Sequence, residues 1–401
     1  MPAGCELLSG GDCFSPRGED ILFISPSVRR ERAEVARLIG RVGRVSSDAE
    51  LFFEACKVPI LAVSGSDGKS TTVKMAEAIL SQGGASALAC GNVGLPFVKA
   101  LGVSLDCLVT EISSFTLEYS SPRSRRALIT NITENHLDWH GPFENYVAAK
   151  ENLLKNTDEA ILSPDSEACI PLIQKHKPWG LFSTRESYRT LKSKYPFTEC
   201  FFTLEHGHLS KNGEPLISLP CLSKKEPHNV KNALAAIALT HGLFDTGGGV
   251  EALSRFSGLS HRMETVALTG GVAYVDSSID STPERTRATL IAMPRTLTVL
   301  LGGRGKGLSY EPLIEPLSSK TGDIILFGEN RSEIFEALAK SSELLPRITV
   351  VKTLAEAVKI AKSRARAGDT VLLSPASTSY DAFSDFEERG NKFKEYVNLE
   401  G

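Results

Sequence analysis

The sequence predicts a multi-domain α/β protein, and three observations support this fold class. Strand and helix patterns alternate from residue 58 to about residue 150, which favours a central parallel sheet covered by helices. A second alternating block in the last third predicts a Rossmann-like, doubly wound sheet. The chain has 401 residues, which is too long for one ordinary domain. We therefore predict a partial N-terminal α/β domain over 1–57, a central domain over 58–258 and a C-terminal domain over 259–401.

The predicted elements follow, in chain order, from the hydrophobic pattern and its interruption by Gly and Pro. In the first two domains we predict strands at 21–25, 59–63, 86–90, 106–112 and 127–132, short antiparallel strands at 201–205 and 215–219, and helices at 29–40, from Ser70 to Gly83, and at 228–244. In the last domain we predict strands at 271–276, 297–303, 323–328, 347–352 and 369–375, and helices from Pro283 and over 354–368. Ser281 and Thr282 are good capping residues, so a helix is expected to begin at Pro283.

Composition and charge exclude several classes of function. A hydrophobic fraction of 41% and a charged fraction of 23% are typical of a soluble globular protein. The formal net charge of −3 gives no basic surface for nucleic acid, and no apolar run is long enough to span a membrane. The first residues, MPAGCELLSGGDCF, lack the parts of a signal peptide. We expect a cytoplasmic protein that binds neither nucleic acid nor membrane.

The eight cysteines support the same location. No two of them form a CxxC pair, and the last is Cys221. This spacing disfavours a zinc site or a disulfide framework and suits a reducing cytosol.

The stretch AVSGSDGKSTT at residues 62–72 predicts a phosphate-binding loop between a strand and a helix. Gly65 and Gly68 permit a tight turn, and the first N–H groups of a helix bind anions. Lys69 adds a positive charge, and Ser70 adds a hydroxyl for phosphate or Mg²⁺. The loop is shorter than the commonest phosphate-loop motif, so an ordinary Gly/Ser turn with a surface lysine is the alternative.

Polar residues cluster after the strands that follow this loop, where ligands bind in parallel α/β sheets. A hard cation beside a phosphate loop takes carboxylate and hydroxyl oxygens, so Glu111 and Ser70 are expected to bind Mg²⁺. For Asp138 and His140 we favour a structural role, because a lone polar residue at a strand end is more often structural. The other members of the cluster are Asn92, Ser113, Asn131, Glu134, His136 and, on a predicted helix, Lys150.

Two stretches of the last domain suggest binding of an anion. GGRGKG at 302–307 follows a strand and offers backbone N–H groups with Arg304 and Lys306, although a mobile Gly turn would look the same. SPASTSYDAFSDFEERGNKFKEYV at 374–397 joins a hydroxyl-rich strand end to a helix. Its serines could meet a carboxylate, while its phenylalanines are equally compatible with plain core.

Taken together, these motifs resemble the Mur ligase family, whose members are ATP-dependent, amide-forming enzymes of bacterial cell-wall synthesis. The branch that adds D-glutamate is the most similar, because the stretches at 111–118 and 374–395 resemble that branch in particular. The resemblance covers residues 58–397 and is carried by GSDGKST (65–71), GNVGLP (91–96), EISSFTLE (111–118), NITENHLDWHG (131–141), AAK (148–150), HNVKNALAA (228–236), GLSHRME (258–264), LLGGRGKG (300–307) and SPASTSYDAFSDFEERGNKFKE (374–395).

The resemblance implies an ADP-forming ligase in which ATP phosphorylates a carboxylate and an amino acid then displaces the phosphate. The implied substrates are UDP-N-acetylmuramoyl-L-alanine and D-glutamate, the implied cofactors are ATP and two Mg²⁺ ions, and a monomer is expected. Residues 1–57 would bind the uridine nucleotide, 58–258 would bind ATP and 259–401 would bind the amino acid.

The resemblance also implies roles for individual residues. The implied catalytic residues are Lys69, Glu111, His136 and Lys150. The implied metal ligands are Ser70, Glu111, His136 and Lys150, the last as a carbamate. The implied ATP-binding residues are Gly65, Ser66, Asp67, Gly68, Lys69, Ser70, Thr71, Asn229, Asn232, Arg262 and Asp276. The implied substrate-binding residues are Asn92, Ser113, His136, Ser281, Lys306, Ser379 and Phe386.

The chain departs from the family pattern in two places. Many members carry Asp-Ser-Lys-Ala-Thr after the strand that opens the last domain, whereas this chain reads DSSIDSTP at 276–283. Aligned on Pro283, Ile279 replaces the lysine and Ser281 replaces the threonine, so a positive charge is missing there. The N-terminal domain also lacks the family's first strand, Gly-rich turn and helix, so either the start lies upstream or the uridine group binds differently.

Three other functions fit parts of the pattern. A related Mur or folylpolyglutamate-type ligase with another acceptor is disfavoured by the stretch at 374–395. An inactive nucleotide-binding paralogue is disfavoured because all four implied catalytic residues are present. A phosphate-loop switch or motor protein is disfavoured by the short loop and by the lack of an obvious switch segment.

Overall fold

The computed structural model describes residues 21–26, 28–244, 248–293 and 297–399. The chain divides into two compact units between Phe256 and Ser257. Residues 1–20 of the predicted N-terminal domain, with Cys5 and Cys13, lie outside the described residues, as does Ser27. The division into three domains stays a prediction.

The first unit contains eleven described strands and nine described helices. Its strands are β1 (Ile21–Phe23), β2 (Arg44–Ser46), β3 (Ile60–Ser64), β4 (Ala87–Gly91), β5 (Cys107–Glu111), β6 (Ser124–Ile129), β7 (Thr157–Leu162), β8 (Gly180–Ser183), β9 (Cys200–Glu205), β10 (His208–Lys211) and β11 (Glu214–Ser218). Its helices are α1 (Ala33–Ile39), α2 (Asp48–Ala55), α3 (Lys69–Gln82), α4 (Ser114–Tyr119), α5 (Leu137–His140), α6 (Phe143–Glu151), α7 (Cys169–His176), α8 (Tyr188–Lys194) and α9 (Pro227–Thr240). Short 3₁₀ helices lie at Phe97–Ala100, Asn152–Leu154, Leu219–Cys221 and Gly249–Ser254.

Nine of these strands form one sheet in the order β11-β10-β9-β8-β7-β6-β3-β5-β4. The strands from β4 to β9 run parallel, and β10 and β11 extend the sheet antiparallel. The predicted parallel sheet and its antiparallel extension are therefore both confirmed. β3 lies inside the sheet, between β5 and β6, so the loop that follows β3 leaves from a strand that is held on both sides.

Alternate residues of β3 face opposite cores. Leu61 and Val63 pack in one hydrophobic cluster with helices α3 and α9, and Ile60 and Ala62 pack in the other. All four are buried, as expected for a parallel strand covered on both faces. This packing fixes the direction in which the chain enters the phosphate loop.

The chain before β3 carries more structure than the sequence predicts. β1 pairs in parallel with β2, and α2 packs Phe52 against Phe97 of the 3₁₀ helix after β4 at a ring distance of 5.2 Å. We did not predict β2 or α2, because both are short and the hydrophobic pattern of residues 44–55 is weak. The predicted helix at 29–40 begins only at Ala33.

The second unit contains a six-stranded sheet. Its strands are β12 (Glu264–Thr269), β13 (Val272–Asp276), β14 (Leu297–Gly302), β15 (Thr321–Phe327), β16 (Ile348–Val350) and β17 (Thr370–Leu373). Its helices are α10 (Pro283–Ala292), α11 (Ile314–Lys320), α12 (Arg331–Leu338), α13 (Leu354–Arg364) and α14 (Phe386–Asn398), with 3₁₀ helices at Glu311–Leu313 and Leu345–Arg347. The strand order is β12-β13-β17-β14-β15-β16, and only the β12–β13 pair is antiparallel.

Helices cover both faces of this second sheet. Val299 and Leu301 of β14 pack with residues of α10, α11 and α12, whereas Leu300 packs with residues of α13 and α14. The predicted doubly wound arrangement is confirmed. The helix predicted from Pro283 begins there, and Thr282 caps it by accepting a hydrogen bond from Arg285 N at 3.5 Å.

Among the described residues, no helix is both long and apolar enough to cross a membrane.

Candidate active site

The predicted phosphate loop lies between β3 and α3, at the carboxyl edge of the central sheet. Gly65 has φ 144° and Gly68 has φ 79°, and both values favour glycine. A Cβ atom on Gly65 would lie 1.9 Å from Thr130 Oγ1, so only glycine fits that approach. Helix α3 begins directly after Gly68, and its first N–H groups therefore face the loop.

The end of β6 holds the loop in shape. Ser66 N donates to Asn131 O at 2.9 Å, and Asp67 N donates to Asn131 Oδ1 at 3.0 Å. Thr130 Oγ1 donates to Asp67 O at 2.7 Å. The backbone of the loop is thus fixed by a neighbouring strand end, which is the pre-organisation that phosphate binding needs.

Two further side chains lie against this loop. Lys69 Nζ donates to Ser66 O at 2.8 Å, which keeps the cation over the loop. Asn232, on α9, approaches Gly68 so closely that a Cβ atom there would lie 2.2 Å from Asn232 Oδ1. The structure therefore brings together the predicted loop residues and Asn232. Ser70 and Thr71 lie in the first turn of α3.

Lys150 lies beneath the loop on α6 and is only 1% exposed. Its Nζ donates to Gly65 O at 2.7 Å and lies 4.6 Å from the centre of the Tyr146 ring. Burial, followed by the charge of Lys69, lowers the pKa of Lys150 well below its ordinary value, although Asp67 and Glu111 oppose the shift. This environment favours the neutral form of the Lys150 amine, which is the nucleophilic form.

Glu111 ends β5, next to β3 in the sheet, and is 4% exposed. Its Oε2 is buried and accepts no hydrogen bond from any residue that the structure describes. A buried carboxylate oxygen without a donor is costly, and a cation would remove that cost. This observation supports the predicted role of Glu111 as a metal ligand.

His136 and His140 lie near each other but differ in exposure. His136 is exposed, adopts φ 53°, and its ring lies 4.9 Å from that of Phe115. His140 is buried, and its Nε2 lies 3.1 Å from Ser114 Oγ. Burial, with the charge of His136, lowers the pKa of His140 to about 4. Of the two rings, only that of His136 is exposed at this edge of the sheet.

The remaining predicted residues of the first unit lie on the same edge. Asn92 is exposed after β4, and its N–H donates to Glu111 O at 3.2 Å. Ser113 caps α4 by accepting from Thr116 N at 3.1 Å. Asn229 is half-buried at the start of α9, and its Nδ2 donates to Glu226 Oε2 at 2.9 Å.

In the second unit, Asp276 and Arg262 have opposite environments. Asp276 is fully buried, and its Oδ2 lies 2.7 Å from His261 Nδ1 while its Oδ1 accepts from Ser278 N at 2.8 Å. Arg262 is exposed. The Asp276 carboxylate is therefore occupied by contacts within the protein, whereas the Arg262 side chain is accessible.

Three predicted acceptor residues lie on loops at one edge of the second sheet. Ser281 follows β13, Lys306 follows β14 and Ser379 follows β17, and these three strands are parallel neighbours. Lys306 is exposed, whereas Ser379 is 3% exposed. Phe386 is half-buried, and its ring lies 6.2 Å from that of His261.

Sequence reasoning missed several residues that support these sites. Tyr146 lies one helical turn before Lys150, and its OH lies 3.0 Å from Ser66 Oγ, so it links α6 to the loop. Arg389 is fully buried and donates to Ser278 O at 2.8 Å, Ser377 O at 3.0 Å and Thr378 O at 2.9 Å. Tyr146 could have been predicted, because a residue four positions before Lys150 lies on the same face of a helix. The contacts of Arg389 join residues from different elements and leave no local sequence pattern.

The sequence and the fold both match known proteins. The profile of the Mur ligase middle domain matches residues 63–240, and that of the Mur ligase, glutamate ligase domain matches residues 261–377. The UDP-N-acetylmuramate-alanine ligase MurC of Thermotoga maritima is similar in structure, with a TM-score of 0.59 and 21% identity over 94% of this chain and 84% of that one. E. coli FolC in complex with ADP has a TM-score of 0.56 and 15% identity, over 86% of this chain and 90% of that one. At these identities the likeness concerns the fold alone.

Closer relatives define the family. A protein of Ruminiclostridium cellulolyticum is 31% identical over 401 residues, and one of Acetivibrio thermocellus is 33% identical over 402 residues. Each alignment covers 95% of this chain and 83% of the relative. The chain therefore belongs to the Mur ligase family of amide-forming ligases. Both relatives, and one of Clostridium botulinum at 32% identity over 98% of this chain and 86% of its own length, are named UDP-N-acetylmuramoylalanine–D-glutamate ligase.

Proposed function

We propose that the chain adds D-glutamate to UDP-N-acetylmuramoyl-L-alanine in an ATP-dependent step of peptidoglycan precursor synthesis. The names of the relatives support this substrate pair. The observation that carries the proposal is Lys150, which is buried with its Nζ 2.7 Å from Gly65 O of the phosphate loop, in a site that also contains the donor-free oxygen of Glu111. A buried lysine and carboxylate under a phosphate loop suit phosphoryl transfer to a carboxylate.

The reaction has two steps. The carboxylate of UDP-N-acetylmuramoyl-L-alanine attacks the γ-phosphorus of ATP, the bond from that phosphorus to ADP breaks, and an acyl phosphate forms. The amine of D-glutamate then attacks the acyl carbon, phosphate leaves, and the nitrogen loses a proton as the amide forms. A free carboxylate is a poor acyl donor, so the first step supplies the leaving group that the second step needs.

The first unit would bind and orient the phosphates. Within Gly65–Thr71, the N–H groups of Ser66 and Asp67 donate to Asn131, so the other N–H groups and the ammonium of Lys69 would neutralise the β- and γ-phosphates. Phosphoryl transfer depends mainly on such positioning and charge stabilisation. Asn92, Ser113 and His136, on neighbouring loops of the same edge, would hold the substrate carboxylate beside the γ-phosphate.

The residues present fit a magnesium site. Ser70, Glu111, His136 and a carbamylated Lys150 would hold Mg²⁺, which, when bound, supplies positive charge to the phosphate oxygens. The donor-free Oε2 of Glu111 and the lowered pKa of Lys150 support this assignment, because carbamylation requires an uncharged amine. The neutral amine would gain CO₂ and lose one proton, and would thereby become an anionic carbamate ligand.

The second unit would bind the acceptor. The carboxylates of D-glutamate would be surrounded by Lys306, Ser281, Ser379 and Phe386.

The nucleotide would contact Asn229, Asn232, Arg262 and Asp276. Asp276 would first have to exchange its contact with His261. With this function we also propose the three-domain division, a monomeric state and a cytoplasmic location.

Phosphate release by the purified chain tests the proposal. Mg-ATP and UDP-N-acetylmuramoyl-L-alanine are supplied with D-glutamate, L-glutamate, L-lysine or meso-diaminopimelate, or with no acceptor. We expect sustained release with D-glutamate alone. Release only with a different acceptor would favour the related ligase. The absence of release with every acceptor would favour an inactive paralogue.

A further inference from the structure

The loop after β13 lacks the lysine that many family members carry, and Ile279 stands in its place. The structure nevertheless brings a positive charge to this position. Arg285, in the first turn of α10, reaches back so that its Nη1 donates to Ile279 O at 3.2 Å. The guanidinium of Arg285 therefore lies beside the backbone carbonyl of Ile279, the residue that stands in place of the lysine.

Arg285 is exposed and has no ion-pair partner among the residues that the structure describes. On the loop after β13, the carboxylate nearest to Arg285 in sequence is that of Asp280. It does not pair with Arg285 but accepts hydrogen bonds from Ser374 Oγ at 2.7 Å and from Thr289 Oγ1 at 2.8 Å. The contact with Ile279 O uses one of the five N–H groups of the Arg285 guanidinium, so the other four can donate to a ligand.

A second unpaired cation lies nearby. Lys306 is exposed and, within the described part of the chain, has no hydrogen bond or ion pair. Lys306 follows β14, and Ile279, whose carbonyl Arg285 contacts, follows β13, so both cations lie on loops at the same edge of the sheet. Burial of its amine and then the charge of Arg285 lower the pKa of Lys306. By contrast, Arg304 of the same loop pairs with Glu329 at 3.2 Å. Two neighbouring cations without counter-charge at a sheet edge are suited to an anionic ligand.

We propose that Arg285 binds a carboxylate of the acceptor amino acid together with Lys306 and thereby selects a dicarboxylic acceptor. The inference rests on the proposed function, because it takes D-glutamate as the acceptor. Glutamate carries two carboxylates, and Lys306 alone supplies only one cation. A guanidinium is suited to the second carboxylate, because its planar fork matches the two carboxylate oxygens.

The variant Arg285→Ala tests this assignment in the full-length chain. We expect the KM for D-glutamate to rise roughly tenfold or more, because a hydrogen bond to a charged group is lost, while the KM for ATP changes less than about twofold. Arg287→Ala is the matched control, since Arg287 is an exposed arginine on the same helix and makes none of the contacts described for Arg285. Its kinetic constants should equal those of the unmodified chain.

Two further variants separate charge from structure. Arg285→Lys should recover part of the affinity for D-glutamate, and Ile279→Lys in the Arg285→Ala background should recover part of it as well. D-Glutamine, which lacks one carboxylate, should lose much less from Arg285→Ala than D-glutamate does. A merely structural role would lower the thermal stability and affect both acceptors and ATP alike.

The outcomes for the two proposals are distinct. If the unmodified chain turns over D-glutamate and Arg285→Ala leaves its KM unchanged, or raises the KM for ATP equally, the assignment of Arg285 is wrong and the proposed function stands. If the unmodified chain uses no D-glutamate, the proposed function is wrong and the Arg285 assignment is wrong with it.

Discussion

The phosphate-loop region and the acceptor region hold their positive charges in different ways. In the first, Lys69 and Lys150 donate to backbone carbonyls of the loop, and Lys150 is buried. In the second, Lys306 and Arg285 are exposed, and neither has an ion pair among the described residues. The cations of the first region therefore contact the backbone of the fold, whereas those of the second region are exposed and can contact a ligand.

This difference indicates separate tasks. Burial lowers the pKa of an amine because charge is costly to bury, and the role proposed for Lys150 is that of a carbamate formed on its neutral amine. An exposed cation keeps its charge and binds anions with an affinity that falls with salt. Substitutions in the first region should therefore abolish turnover with every acceptor, whereas those in the second should change the preference among acceptors.

The largest effect is expected from Lys69→Ala. Loss of the cation over the phosphate loop removes charge stabilisation from the transferred phosphoryl group, so kcat/KM for ATP should fall by on the order of 10³. Steady-state phosphate release measures this change. Lys74→Ala is the control on the same helix, because Lys74 pairs with Glu77 at 2.8 Å, away from the loop. Turnover near that of the unmodified chain would remove Lys69 from the phosphate site.

Lys150→Ala should come next, with a loss on the order of 10² to 10³ in kcat that depends on the missing carbamate. Short carboxylates such as acetate should restore part of the activity, because they can replace the carbamate oxygens. Lys155→Ala, an exposed lysine four residues after the end of α6, is the control. An unaffected Lys150→Ala enzyme, or an impaired one that no carboxylate helps, would speak against a metal-ligating carbamate.

Lys306→Ala should have a smaller and more selective effect. The KM for D-glutamate should rise about tenfold or more, since a charged hydrogen bond contributes roughly 1.5–3 kcal/mol, while the KM for ATP should hardly change. Titration of each substrate at saturating levels of the others gives both constants. Equal changes in the two would contradict the separation between the regions.

The last prediction concerns stability rather than turnover, and Gly68→Ala should lower the free energy of unfolding. Its φ of 79° costs an alanine about 1–2 kcal/mol, and its Cβ would also meet Asn232 Oδ1 at 2.2 Å. Gly84→Ala has the same strain at φ 85° but no atom within 4 Å of its Cβ. Denaturant unfolding should therefore show a lower free energy of unfolding for Gly68→Ala than for Gly84→Ala. Equal values would mean that Asn232 does not press on the loop.

The sequence predicted the parallel sheets and the phosphate loop because both depend on local pattern. β3 is a continuous apolar run, and Gly65, Gly68 and Lys69 follow it at once. It missed β7 and β8, whose hydrophobic runs are short and interrupted, and β12, an antiparallel edge strand with exposed residues. Local pattern does not report how an edge strand pairs.

The candidate site was predictable in part for the same reason. The roles predicted for Lys150 and Glu111 come from the resemblance, and for Glu111 also from the chemistry of a hard cation, but the burial that lowers the pKa of Lys150 comes from residues distant in sequence. Arg285 was not found, because its relevance depends on the fold of the loop that places Ile279 O next to it. Contacts of this kind arise only when the loop and the helix are assembled.

The acyl-phosphate mechanism is tested most directly by tracing a labelled oxygen atom from the substrate into the released phosphate. UDP-N-acetylmuramoyl-L-alanine labelled with ¹⁸O in its terminal carboxylate is converted with Mg-ATP and D-glutamate, and the released phosphate is analysed by mass spectrometry. Transfer through an acyl phosphate predicts one labelled oxygen in each phosphate released. Unlabelled phosphate, formed together with the amide product, would show that ATP does not activate this carboxylate and would contradict the mechanism.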